Sequence, residues 1–207
     1  KVPFIMEAHG IERVDNYYWM RDDSRKSKKV LNHLKRENEY LEYWFTSGQD
    51  LRKKLFKEIT DRIPKKEDSV PIRMGAYEYF RRYKPNKEHP IYIRRTNKNT
   101  PEQVLLDVNE LAINSDFYQL ANWSIAPTEQ ELAYAEDTTG RREYSIKFKD
   151  LLSGKVSAQV IKYTSGDMAW SSDSAYFFYV RRDPETLLPF QVYRHSMGSK
   201  QSEDVLI

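Results

Sequence analysis

Apolar and polar positions follow two different periods along this chain, and the change falls near residue 70. Before it, Val30, Leu31, Leu34, Leu41 and Phe45 recur at helical offsets, with Tyr40 and Trp44 beside them. That stripe predicts an amphipathic helix. Asp22, Asp23 and Ser24 precede it and offer capping oxygens, and Ser47-Gly48 ends it. Ser47 and Asp50 have the spacing of a capping box that opens a second helix. Leu51, Leu55, Ile59 and Ile63 form its inner face, and Pro64 stops it. Residues 1–23 read as an irregular, aromatic-rich arm.

After Val70 the pattern shortens toward a period of two. Tyr77–Phe80, Ile91–Ile93, Val104–Leu106, Ala133–Ala135 and Ser145–Lys149 are short segments of strand-forming residues. Tyr176–Val180 is a continuous apolar run and predicts a strand covered on both faces. Pro85-Asn86, Thr139-Gly140, Ser153-Gly154 and Asp183-Pro184 supply turns between segments. Leu111, Phe117, Tyr118 and Leu120 read as a looser region with a helical turn.

Two stretches repeat. Trp123-Ser124, Leu132-Ala133-Tyr134, Tyr144–Phe148 and Gly154 are echoed by Trp170-Ser171, Tyr176–Tyr179, Phe190–Arg194 and Gly198. The two tryptophans lie 47 residues apart and the two glycines 44. A weaker copy lies upstream in Tyr77–Phe80, Ile91–Ile93 and Val104–Leu106. A period in the forties with several strands per unit is the mark of β-propeller blades, each burying its faces against its neighbours. An ordinary antiparallel meander is the alternative. The predicted fold is therefore α+β, an N-terminal α-helical extension over residues 1–70 followed by a mainly-β partial propeller of about two to three blades over 71–207.

Composition narrows the chemistry. With 28 aromatic residues among 207 the chain can build a core despite 31% charged residues. No apolar run approaches the ~20 residues of a membrane span, and no signal segment is visible. The absence of Cys excludes disulfides and thiol chemistry and suits the cytoplasm. Charge is lopsided, about +9 over residues 1–98 and −6 over 99–207. A basic half can meet nucleic acid or an acidic protein surface. Here it is spread over two helices and strands, so a solvated or interdomain face is expected and nucleic acid is not.

Nothing assembles an active site. His9, His33, His89 and His195 have no metal-ligand spacing. Neither a phosphate-binding glycine loop nor a G-x-S-x-G nucleophile elbow occurs. Ser124, Ser171 and Ser172 sit at repeat starts, where hydroxyls cap turns. His9 and His195 read as structural contacts, and Glu136-Asp137 as a hairpin-end pair. No catalytic, cofactor-binding or metal-binding residue is expected in this chain, and no cofactor.

The arm His9-Gly10-Ile11-Glu12-Arg13-Val14-Asp15-Asn16-Tyr17-Tyr18-Trp19-Met20-Arg21-Asp22 resembles the H-G-x-x-R-x-D-x-Y-Y-W-L-R-D opening of the oligopeptidase B (protease II) branch of the prolyl oligopeptidase family of serine peptidases. The resemblance continues through Glu37–Tyr40, Arg62-Ile63, Ser69–Pro71, Leu105–Ala112, Ala133–Arg142 and Arg194–Gly198. Met20 stands where Leu is usual, and Ala126-Pro127-Thr128 where a blade usually reads Ser-Pro-Asp.

The resemblance implies a parent with a helical extension, a seven-bladed propeller and a C-terminal α/β-hydrolase domain that carries the Ser-Asp-His triad. None of that triad maps here, so the chain is expected to be inactive alone, as an N-terminal portion that stops mid-propeller. Its implied partners are the hydrolase domain of the same parent chain and, for the parent, short basic peptides cut after Arg or Lys. The propeller would gate substrate access. Two alternatives stand beside this reading: a free-standing propeller-type binding module, and a post-proline-cleaving member of the same family.

Overall fold

A computed structural model describes residues 1–207, which divide into two compact units, Lys1–Pro64 and Lys65–Ile207. The first unit opens with a hairpin of β1 (Phe4–Ala8) and β2 (Ile11–Asp15), in register from Phe4↔Asp15 to Ala8↔Ile11. Its turn, His9-Gly10, has both φ angles positive, 55° and 74°, as a two-residue hairpin requires. The arm is thus partly ordered as a ribbon, not irregular throughout. Both faces of the hairpin are largely exposed, so its sequence carries little alternation to read. The Phe4 ring stacks on Tyr18 at 4.0 Å.

Helix α1 (Lys28–Phe45) follows a turn organised by Asp22, whose carboxylate accepts the Ser24 hydroxyl at 2.6 Å and the Ser27 N–H at 2.7 Å. These donors, with Ser24 foremost, hold Asp22 below its ordinary carboxylate value. Helix α2 (Gln49–Asp61) is joined to α1 by a single tight turn at Thr46–Gly48. The expected Ser47–Asp50 capping box does not form. Gly48 occupies the cap position, and the backbone stays close to helical from Phe45 to Gln49, so no helix end opens at Ser47. The stripes are present, but they do not form a core within this chain. Val30 alone is buried, whereas Leu31, Leu34, Leu41, Leu51, Leu55 and Ile59 are 47% to 61% exposed.

The second unit is two antiparallel sheets, of five and seven strands, and the longer one changes direction within its longest strand to give two of three successive blades. In the first, β3 (Glu67–Asp68) and β4 (Ile72–Met74) both pair with β5 (Tyr77–Tyr83), followed by β6 (Ile91–Arg95) and β7 (Gln103–Asp107). The pairing of Glu67 with Tyr83 places residues ahead of the 70/71 boundary in the blade. Helix α3 (Val108–Ala112) then leads to β8 (Gln119–Ile125), β9 (Glu131–Asp137) and β10 (Tyr144–Asp150). The 15-residue β11 (Val156–Trp170) completes the second blade and begins the third, continued by β12 (Tyr176–Arg182), β13 (Pro189–Ser196) and β14 (Val205–Leu206).

β11 pairs with β10 over Val156–Thr164 and with β12 over Thr164–Trp170. Gly166, at φ +88°, lies between the two pairings, where an added Cβ would stand 3.2 Å from the Ala121 Cβ and 3.3 Å from the Tyr144 ring. Ile125↔Leu132 and Trp170↔Phe177 close equivalent hairpins, so the structural period is 45 residues in both strands. Trp123 is therefore not the partner of Trp170 in the repeat; it lies two residues earlier on the same strand face.

Alternate residues of β9 enter different cores. Leu132 and Tyr134 join Tyr79, Leu105, Leu106 and Leu151 between the first two blades. Ala133 and Ala135 join Tyr144, Ile146, Phe148, Ile161, Phe177 and Tyr179 between the second and third. The β12 run is buried only at Phe177 and Tyr179; Tyr176 is exposed and Phe178 half-buried. Full two-sided cover is absent because the third blade has one neighbouring blade in this chain.

Candidate functional site

The polar residues singled out from the sequence take structural positions. His9 shapes the first hairpin turn. The Ser171 hydroxyl donates to Asp173 at 2.6 Å and accepts from the Tyr176 N–H at 2.9 Å, capping its hairpin. Ser172 is exposed, and Ser124 offers its carbonyl to the Trp170 indole N–H at 3.3 Å. Asp137 is buried and accepts four donors from its own turn: the Thr139 N–H and hydroxyl, the Gly140 N–H and the Arg142 N–H, at 2.7 to 3.1 Å. Burial alone raises such a carboxyl, but these hydrogen bonds prevail and hold Asp137 below its ordinary value.

Glu136 accepts the Tyr118 hydroxyl at 2.8 Å and pairs with Lys147 Nζ at 2.5 Å. Burial first, then the hydrogen bond to Glu136, pushes the Tyr118 phenol far up. This makes Tyr118 a fixed donor and not a proton shuttle.

His195 sits in the most enclosed network. Its Nδ1 lies 2.5 Å from Asp204 Oδ1, and Asp204 Oδ2 accepts the Tyr179 hydroxyl at 2.7 Å. The Gln159 amide donates to His195 Nε2 at 2.5 Å and to the Ser199 carbonyl at 2.7 Å. The arrangement superficially offers a histidine–aspartate pair. Yet His195 is fully buried, both ring nitrogens are occupied, and no serine hydroxyl is bonded to it. A general base needs a free nitrogen within reach of a substrate proton. This pair braces the third blade. Its other members, Gln159 and Asp204, were not singled out from the sequence, since they lie 36 and 9 residues from His195 with no period linking them.

Across all residues, no three His, Asp or Glu side chains converge on a point where an ion could sit. What the molecule does build is a locked interface between blades. The buried Arg94 spans it, donating to Gln103 Oε1 and to the Glu129 carbonyl, both at 2.7 Å, with its guanidinium 4.0 Å from the Tyr77 ring. Lys149 Nζ donates to the Leu105 carbonyl at 2.7 Å from the opposite side. The β5–β6 and β9–β10 turns, by contrast, present exposed cations: Lys84 and Lys87, Arg141 and Arg142. No helix is long and apolar enough to cross a membrane.

Comparison with known proteins places this architecture. A family profile described as the prolyl oligopeptidase N-terminal beta-propeller domain matches residues 1–207. Dipeptidyl aminopeptidase BI of Pseudoxanthomonas mexicana is 37% identical over all of this chain, which covers 31% of that protein. Protease 2 of Moraxella lacunata is 33% identical, again over the whole chain and 31% of the relative. The structure of oligopeptidase B from Leishmania major superposes with a TM-score of 0.89 at 33% identity, covering 95% of this chain and 28% of that one. The chain therefore spans about a third of the length of the relatives it matches. Three blades, one period and an unbroken family match lead to one statement: this chain belongs to the prolyl oligopeptidase family of serine peptidases, as its N-terminal propeller domain.

Proposed function

We propose that this chain serves a serine oligopeptidase that hydrolyses short peptides after Arg or Lys, docking on an α/β-hydrolase domain and gating entry to its active site. The observation that carries the reading is a family match over the whole chain that covers only about a third of complete peptidases. The exposed stripes of α1 and α2 supply a docking surface, since apolar faces of this extent seldom stay in water. The buried Nε–H groups of Arg181 and Arg182, which lack an acceptor, support a neighbour on the third blade as well.

The test supplies the missing part. The chain is fused to the remaining two-thirds of the Moraxella lacunata relative, and N-blocked Arg, Lys and Pro anilides are assayed. Turnover after Arg and Lys by the fusion, with none by the chain alone, is expected. Preference for Pro, or inhibitor-sensitive turnover by the chain alone, overturns the assignment. A second reading comes from the 37% identical dipeptidyl aminopeptidase. Under it, the fusion would cut only peptides with a free N-terminus, two residues in, and blocked substrates would be inert.

A further inference from the structure

A groove of about 320 Å³ opens at the edge of the first blade, where the short strands β3 and β4 both pair with β5. Its floor is aromatic: the Trp123 ring lies 5.9 Å from Tyr79 and 5.6 Å from Tyr92, with Ile72 and Met74 forming the wall. At the mouth stands Arg81, paired across the sheet with Tyr92. Its backbone N–H donates to Ser69 Oγ at 3.0 Å, but its guanidinium has neither hydrogen bond nor ion pair, and no Asp or Glu lines the groove. The adjacent Arg82 shows the contrast, bridging both Asp68 and Glu102.

Three features select the occupant. The unpaired guanidinium favours an anion, and its planar fork suits a carboxylate. The floor favours one large apolar side chain, and the volume lies at the low end of the ~300–1,000 Å³ of ligand cavities. Beside it, β4 is an edge strand whose outward backbone groups can pair with one more amide, while Pro71 offers no N–H to continue the ladder. We propose that this groove binds the free C-terminal residue of a peptide, its apolar side chain on Tyr79, Tyr92 and Trp123 and its carboxylate on Arg81. This binding site is independent of the peptidase reading, because it is built wholly from residues of this chain and needs no catalytic domain.

The test is a calorimetric and NMR titration of the 207-residue chain with N-acetylphenylalanine, following the Trp123 indole N–H. Saturable binding that shifts this signal is expected, weakened at least about tenfold for N-acetylphenylalaninamide, which lacks the charge. R81Q should weaken binding of the acid by a similar factor and leave the amide unchanged, while R81K should restore part of the loss. Arg81 is exposed, so R81Q should keep the wild-type unfolding midpoint, and that measurement guards against a folding artefact. Equal binding of acid and amide, no effect of R81Q, or no saturation overturns the proposal. Tighter binding of octanoate than of N-acetylphenylalanine overturns the assignment to a peptide end.

Discussion

His195 Nδ1 lies 2.5 Å from Asp204 Oδ1, and the two side chains are 0% and 1% exposed. The contact ties β13 to the segment leading into β14, the last strand of the sheet and one with only two residues of its own. With the Tyr179 hydroxyl and the Gln159 amide it occupies both ring nitrogens and both carboxylate oxygens of a network that spans β11, β12 and β13. Removing one partner leaves the others buried without a mate, which costs roughly 1–3 kcal/mol per unsatisfied group. Asp204→Ala should lower stability on that scale by urea denaturation. Its effect should be non-additive with Tyr179→Phe, since both break the same carboxylate contacts. A loss below about 1 kcal/mol, within the range of an ordinary surface change, would show that the pair is not formed.

The bend in β11 makes a second prediction. Gly166 adopts φ +88°, and a Cβ there would press on both Ala121 and Tyr144. A side chain costs strain of order 1–3 kcal/mol from the backbone alone. Gly166→Val should exceed Gly166→Ala, because the contact at 3.2 Å leaves no room for branching. The strand belongs to two blades, so the loss should appear as one cooperative shift of the unfolding midpoint. Separate transitions for the second and third blades would contradict that.

The same strand shows why some of the fold was hidden in the sequence. The segments β5, β6, β9, β10, β12 and β13 could be read because each is a short run dense in strand-forming residues, and in β10 the alternate residues Tyr144, Ile146 and Phe148 are the buried ones. β11 changes neighbours midway, and Tyr163 and Gly166 both take positive φ, so its inward-facing set shifts and period-two alternation fails. The helices were legible for the opposite reason. Their stripes are long and regular, but periodicity reveals a face without revealing what covers it. The polar networks were illegible because Asp204, Gln159 and Arg94 meet their partners through strand pairing and blade contacts that no sequence period encodes. The groove beside Arg81 was equally hidden, since Ser69, Arg81 and Trp123 are brought together by strand pairing across 54 residues of chain.

Acid should act through the Asp137 turn. Its four hydrogen bonds hold the carboxyl below its ordinary value of 3.8. A lowered folded-state value means that the unfolded chain binds the proton more tightly, so the stabilisation is complete above the unfolded value and is lost as pH falls through the folded one. Asp137→Asn should therefore destabilise the chain at pH 7. The difference from wild type should shrink below about pH 4, where the unfolded carboxyl is protonated. A difference that stays constant down to acid unfolding would mean that the turn gains nothing from the charge.

Base should act through the buried phenols. Burial first, and the nearby Glu136 charge second, push Tyr134 up to about 12, and Tyr118 and Tyr179 move in the same direction with burial again leading. A raised folded-state value gives stability that is fully present below the unfolded phenol value near 10 and declines as pH rises beyond it. For Tyr134 the span corresponds to on the order of 2–3 kcal/mol. Urea midpoints should be level up to about pH 9.5 and fall steeply above it. Tyr134→Phe should flatten part of that fall, since Phe cannot ionise. An unchanged alkaline limb in the variant would assign the fall to other groups.

The helix stripes give a prediction whose sign depends on context. Leu34, Leu41 and Leu55 are each about half exposed in this chain, so Leu34→Gln, Leu41→Gln and Leu55→Gln remove almost no burial here. Each should change the stability of the 207-residue chain by no more than about 0.5 kcal/mol, the usual range for surface sites. In a protein that includes the hydrolase domain, where these leucines are proposed to be covered, each truncation should cost about 1–3 kcal/mol in proportion to the apolar area it withdraws. Reversing the charges of Lys28, Lys29, Arg52 and Lys53 in the same protein should weaken domain closure, and raising salt should mute the difference. Thermal denaturation of both forms, with KM for a short basic peptide, separates the outcomes. Equal effects in the chain and in the longer protein would leave the stripes without a partner in the hydrolase domain.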